Sequence, residues 1–168
     1  NKGIIYKESD PEAVVPPLGG KSNRPYSVLI FKDGDYTVAQ KSDGTLLSKD
    51  TDAATVIQNA IDSLGSNGGK IFIKAGTYII HSPITVRTLI MVCGEKAGTI
   101  LKLADGANCN IINIESGAYH VTLKCLCLDG NRANQTETSY GIYVPTGDIE
   151  YIEIQGCIIQ NCYSAGIY

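Results

Sequence analysis

No apolar run in the sequence approaches 18 residues, so no helix of this chain is expected to span a membrane. No basic block is present, and the formal net charge is −3, which argues against a nucleic-acid partner. Tryptophan is absent; tyrosine, with ten residues, carries most of the aromatic content. No cysteine falls in the first 92 residues. The six that exist are Cys93, Cys109, Cys125, Cys127, Cys157 and Cys162. They form neither a C-x-x-C motif nor a cluster with histidine, so zinc and other metals are not expected. Their expected role is as small buried hydrophobes, with disulfides the competing reading, since spacing cannot settle connectivity. No secretory leader is visible, although a chain beginning at Asn1 is compatible with one already removed.

What is present begins with the stretch from Asp50 to Val86. Ala53, Ile57, Ala60, Ile61 and Leu64 fall on one helical face. Asp50, Thr51 and Asp52 supply cap candidates, and Gly65 follows the last apolar residue as a stop signal. Gly68-Gly69 then opens two β-rich runs, Ile71-Phe72-Ile73 and Tyr78-Ile79-Ile80. Such a helix cannot bury its face alone and needs a sheet to lie on.

This stretch resembles the N-terminal start of the pectin-lyase-like superfamily. The resemblance rests on Asp50-Thr51-Asp52-Ala53-Ala54, Ile57 to Asp62, and Gly68 to Tyr78; it is close over residues 50–86 and extends in weaker form to Tyr168. It implies a right-handed parallel β-helix, the fold of pectate lyases, polygalacturonases and viral tailspikes. The fold class expected is therefore all-β: about three coils, one N-terminal capping α-helix and a small N-terminal β-hairpin unit. The resemblance is specific for fold and not for activity.

Three segments are expected. Residues 1–24, with Pro16-Pro17 and Gly19-Gly20, read as an extended arm. Residues 25–49 read as a β-hairpin unit, with Asp33-Gly34 and Asp43-Gly44 as turns. Turn chemistry accounts for Asp33, Asp35 and Asp43 better than calcium does, because a complete ligand spacing is lacking. Residues 50–168 carry the helix and coils.

From Leu89 onward a weak repeat runs at an offset of 31 residues. It aligns Ile90, Val121 and Ile152 in one column and Val92, Leu123 and Ile154 in another, both inward. Met91/Thr122/Glu153 and Cys93/Lys124/Gln155 are the columns expected outside. A second series aligns Ile112, Ile142 and Ile167, and places Tyr143 and Tyr168 in one outward column. That pair is a candidate sugar platform, weighed against plain cross-strand surface packing. Asp129 and Arg132, at the head of the longest insertion, are further candidate carbohydrate-binding residues, weighed against plain Asp-Gly-Asn turn chemistry. Asn134-Gln135-Thr136 matches a glycosylation sequon, relevant only to a secreted protein in a glycosylating host.

No catalytic residue is expected. The motifs of polygalacturonase-like enzymes, Asn-Thr-Asp, Asp-Asp, Gly-His-Gly and Arg-Ile-Lys, do not occur. Asp50-Thr51-Asp52 is close to the first but sits at the helix start. No acid cluster surrounds Arg24, Arg87 or Arg132, as a pectate-lyase-like calcium site would require, and His81 and His120 read as isolated residues. No metal and no cofactor is expected. The favoured function is an extracellular, cell-surface or virion-surface structural module that self-assembles through an open C-terminal coil. The alternative is a polysaccharide-binding or polysaccharide-cleaving protein, a lyase or glycoside hydrolase, whose catalytic coils lie elsewhere. The sequence stops in mid-strand at Tyr168, which is expected to leave that coil to be covered by another chain or by further coils.

Overall fold

The computed structural model describes residues 24–168; the expected arm at 1–24 lies, but for Arg24, outside the described residues. The described chain is mostly β with one α-helix. It opens with β1 (Val28–Asp33), β2 (Tyr36–Lys41) and β3 (Leu46–Asp50), an antiparallel meander. Asp33 pairs with Tyr36 across a two-residue loop, where Gly34 adopts φ +60° without a Cβ penalty.

Helix α1 (Ala53–Ser63) follows. Asp52 is its N-cap, accepting from the backbone N–H groups of Ala54 and Thr55. Burial works to raise the Asp52 pKa, but the Thr55 hydroxyl, these two amides and His81 outweigh it and hold the carboxyl below its ordinary value. The helix stops where Gly65 enters the left-handed region at φ +56°. Ala53, Ala54, Val56, Ile57, Ala60 and Ile61 are buried, the apolar stripe of an amphipathic helix.

Short strands then repeat: β4 (Gly69–Ile73), β5 (Gly76–Ile80), β6 (Ile84–Val86), β7 (Ile90–Cys93), β8 (Thr99–Leu103), β9 (Ile112–Ile114), β10 (Tyr119–Lys124), β11 (Cys127–Asp129), β12 (Ile142–Tyr143), β13 (Glu150–Gln155) and β14 (Ile158–Gln160). They sort into three sheets. The first runs β13-β10-β7-β4-β1-β2-β3, parallel from β13 to β1. The second is β14-β11-β8-β5 and the third β12-β9-β6, both parallel. The meander is thus continuous with the first sheet through β1 and β4.

Register stacks the interior into columns. Val28, Ile71, Val92, Leu123 and Ile154 form one in the first sheet. Tyr78, Leu101, Leu128 and Ile159 form another in the second, and Ile84, Ile112, Ile142 and Ile167 a third. Leu123 and Val121 are fully buried, whereas Ile152 and Ile154 are half-buried because β13 is the outermost strand of its sheet. Tyr78 is fully buried; its hydroxyl donates to the Lys74 carbonyl at 2.9 Å. Burial, with Glu95 nearby, pushes its pKa up to about 12.

One expected position is corrected. Cys93 keeps its place in the Phe72/Lys124 register, yet it is buried rather than outward. The strand ends there in a corner, where a Cβ on Gly94 would meet Thr99 and the Cys125 carbonyl at 2.7 and 2.8 Å. The thiol turns under this corner toward the Ile71 carbonyl, 3.7 Å away. None of the six cysteines is bridged, and burial raises the pKa of Cys93, Cys109, Cys127, Cys157 and Cys162, which disfavours the thiolate form.

The corners have their own repeat. Leu89, His120 and Tyr151 all adopt left-handed backbone, at φ +62°, +54° and +57°. Gly68 occupies the preceding corner, where a Cβ would overlap the Leu89 carbonyl. Side chains at such corners stack: the His120 and Tyr151 rings lie 4.7 Å apart and 7° from parallel.

Candidate functional site

The outward column of the third sheet runs Thr85, Asn113 and Tyr143. Tyr168 continues it, because Ile167 bridges to Ile142, the Tyr168 N–H donates to the Ile142 carbonyl and the Val144 N–H donates to the Tyr168 carbonyl. The Tyr143 and Tyr168 rings are 5.7 Å apart and 6° from parallel. A third ring joins them. Tyr140, just before β12, lies 4.7 Å from Tyr168 and 6.1 Å from Tyr143. Its backbone is fixed by the Asn110 side chain, which accepts from the Tyr140 N–H at 2.9 Å. Sequence reasoning missed Tyr140 because it precedes the strand and falls outside the column register.

At the near end of this sheet the Gln58 side chain of α1 meets β6. Its amide nitrogen donates to the Thr85 carbonyl at 3.3 Å, and its amide oxygen accepts from the Thr85 N–H at 2.9 Å. One side chain thus pairs with the β6 backbone as a neighbouring strand would.

Asp129 and Arg132 form no ion pair among the described residues, but both line a cleft of about 590 Å³ with Lys102, Asn131, Asn161 and Tyr163. Asp129 is fixed in place: it accepts from the Asn131 N–H at 2.9 Å and from the Asn161 amide at 3.1 Å. The Arg132 N–H donates to the Asn161 carbonyl, while its guanidinium is exposed. The backbones pack so closely here that a Cβ on Gly130 would meet Asn161 and Cys162 at 2.6 Å.

The insertion between cleft and stack is stitched to the previous turn by amides. The Asn131 side chain donates to the Leu103 carbonyl and to Asp105, at 3.0 and 2.8 Å. Buried Gln135 donates to the Ala104 carbonyl and accepts from the Asn108 N–H, at 2.8 and 2.7 Å. Asn108 accepts from the N–H groups of Thr136 and Glu137. Satisfied buried amides of this kind hold a loop as firmly as strand pairing does. The sequon residue Asn134 is exposed, with its amide donating to Asn131.

Neither histidine is isolated. His81 lies 3.4 Å from Asp52, and His120 stacks on Tyr151 with Tyr119 edge-on. Arg87 pairs with Asp62 of α1. Among the described residues, no three or more His, Cys, Asp and Glu side chains are grouped to hold a metal ion, and no helix is long and apolar enough to cross a membrane.

Three sheets, parallel but for the β1–β3 meander, linked by short corners, with one amphipathic helix against the first turns, define the class: the fold is the pectin-lyase-like right-handed parallel β-helix. Among solved structures, the chain is similar to the A-module of the mannuronan C-5 epimerase AlgE4 of Azotobacter vinelandii, with 25% identity over 61% of this chain and a TM-score of 0.51. The A-module of AlgE6 from the same organism gives 27% identity over 60% and the same TM-score. ORF18 of Geobacillus virus E2 gives 21% identity over 68% and a TM-score of 0.58, a likeness of fold alone. The chain spans about a third of the length of the two epimerase modules and about a quarter of the virus protein. No protein-family model and no curated protein matches it.

Proposed function

We propose that this chain is a polysaccharide-binding β-helix module acting outside the cell or on a cell or virion surface, with no complete catalytic site of its own. The observation that carries this reading is the stack of Tyr140, Tyr143 and Tyr168. The three rings are near-parallel and stacked on one another, and Tyr168, the exposed member, presents an aromatic surface of the kind on which the apolar face of a sugar ring packs. The names of the epimerase neighbours, which refer to mannuronan, support a sugar polymer as ligand. Asp129 and Arg132 add polar contacts from the cleft. In this reading α1 caps about three coils, residues 25–49 serve as a β unit extending the first sheet, and residues 1–24 act as an arm. Affinity electrophoresis against a panel of plant, algal and bacterial polysaccharides tests the binding. Retardation by at least one polymer, lost in Y143A/Y168A, is the expected result; no retardation by any of them refutes the reading. Release of unsaturated or reducing ends from polygalacturonate, above a heat-killed control, would refute the non-catalytic part.

A second reading, assembly, rests on a separate observation. The outermost strands β13 and β14 carry half-buried Ile152, Ile154 and Ile159 and exposed Ile158, the surface a further rung would cover. In this reading another copy of the chain supplies that rung. An unclosed head-to-tail contact would propagate as a filament. Concentration-dependent growth in light scattering is expected, and a stable monomer at high concentration would refute it.

A further inference from the structure

We infer that the outer face of the first sheet is a docking groove for this chain's own residues 8–18, which strap that face from β1 toward β10. The inference is independent of the polysaccharide reading. Strand alternation sets the face. Val28, Ile30, Ile71 and Ile73 are buried inward, so Leu29, Phe31, Lys70 and Phe72 point out. Leu29 lies beside Phe72 in register, and the Tyr26 ring stacks on Phe72 at 6.4 Å and 20°. Leu29 and Phe31 line a groove of about 440 Å³ with Gln40, Lys74 and Ala75. Tyr26, Leu29, Phe31 and Phe72 are half-buried, so an apolar strip stays open to solvent along this face.

The rim of the strip is cationic. Lys70 and Lys74 flank it, and Lys124 stands two ladders away, in register with Cys93 and through it with Phe72. None of the three has a salt-bridge partner among the described residues. Two acids border the face, and both are engaged: Glu95 accepts from the Ala75 N–H at 3.1 Å, and Glu153, on the outermost strand, accepts from the Thr122 hydroxyl at 3.5 Å. Residues 8–18 answer both features of the face. Glu8, Asp10 and Glu12 carry the complementary charge, and Val14, Val15 and Leu18 follow with Pro16-Pro17 between them. Pro11, Pro16 and Pro17 have no N–H to give, which disfavours adding this segment as a strand to the open edges at β3 or β13. Docking on a face through side chains needs no ladder, and proline-rich segments suit aromatic-lined grooves because their extended backbone has less entropy to lose.

The length of chain agrees. The strap starts from Arg24, two residues before Tyr26, whose ring already lies on this face. Leu18 can reach up to about 20 Å from Arg24 and Glu12 up to about 40 Å. Neighbouring strands are about 4.8 Å apart, so Lys124 is only about 10 Å across the ladders from β4. Gly19-Gly20 allows the reversal that brings residues 8–18 back over the strip.

The test is carbodiimide cross-linking of the 168-residue chain, as a mixture of isotope-labelled and unlabelled protein, read by peptide mass spectrometry. The reagent joins a carboxylate to a lysine amine only where the two meet. Cross-links within one chain are expected from Glu8, Asp10 or Glu12 to Lys70, Lys74 or Lys124, in excess over those to Lys102 on the second sheet. V14S/L18S keeps every reacting group and touches no strand of the β-helix. It should lower the yield about tenfold, the scale of losing one buried aliphatic anchor. Cross-links that join labelled to unlabelled chains would overturn docking within the chain and make a second copy the occupant. Equal yields at Lys102 and at the three lysines of the face, or an unchanged yield in V14S/L18S, would overturn the groove itself.

Discussion

The interior of the first sheet and the loop from Asn131 to Tyr140 are held by opposite means. In the sheet, Ile71, Val92 and Leu123 stack as one apolar column, and each contact is replaceable by a residue of similar volume. At the loop, Asn131 and Gln135 reach across to named backbone groups of the neighbouring turn and Asn108 of that turn reaches back, and each contact depends on one donor meeting one acceptor. The first kind of order is tolerant and repeats along the chain. The second is particular, and it is the kind that borders both the tyrosine stack and the cleft. Uniform packing supplies the scaffold, while single polar contacts place the groups that meet a ligand.

The largest effect should come from breaking the column. Leu123→Ala empties a site with no exposure and should cost about 2–5 kcal/mol in chemical denaturation. A cost below 1 kcal/mol would mean that the column collapses around the gap. Next comes the loop. Asn108→Ala removes the acceptor for two N–H groups and places alanine at φ +49°, a cost of about 1–3 kcal/mol. The comparison predicts a different signature: amide exchange should quicken at Thr136 and Glu137 while Leu123 stays protected. Equal acceleration in sheet and loop would erase the distinction between them.

A smaller effect tests the helix cap. Asp52→Ala should cost about 1 kcal/mol at neutral pH. Because the folded pKa of Asp52 is lowered, its contribution is fully present above the unfolded value of about 3.9 and is lost as pH falls through the folded value below it. The stability difference between wild type and D52A should therefore shrink in strong acid. A difference that is constant down to pH 2 would show that the charge of the Asp52 carboxylate plays no part in the cap.

Legibility in the sequence follows the same division. Helix α1, both Asp-Gly turns and the columns of Ile90 and Val92 were readable because apolar spacing is local and periodic. The Tyr143–Tyr168 column followed from aligning Ile142 with Ile167. Tyr140 was not readable, since its ring reaches the stack from outside the strand register. Nor were the corners, because Leu89, His120 and Tyr151 carry no local sign of left-handed backbone; only their common 31-residue spacing hints at it. The cleft was half visible. Asp129 and Arg132 stood out within one turn, but Lys102, Asn161 and Tyr163 come from other rungs, and nothing in the local sequence joins them. The expectation of Cys93 as an outward residue failed for a related reason: strand alternation ends where the chain turns, and the Gly94 corner had no signature beyond its glycine.

The pairing of Gln58 with Thr85 has a consequence for how the coil finds its alignment. Ile84, Ile112 and Ile142 are the same residue in the same column and all are buried, so one rung of the third sheet looks much like the next. Apolar burial alone would leave several settings close in energy. The Gln58 amide offers its donor and acceptor to Thr85 on β6. Two directional bonds from one helical side chain thus give the first rung of this sheet a backbone partner that apolar burial does not supply, a fixed margin against which the later rungs are laid.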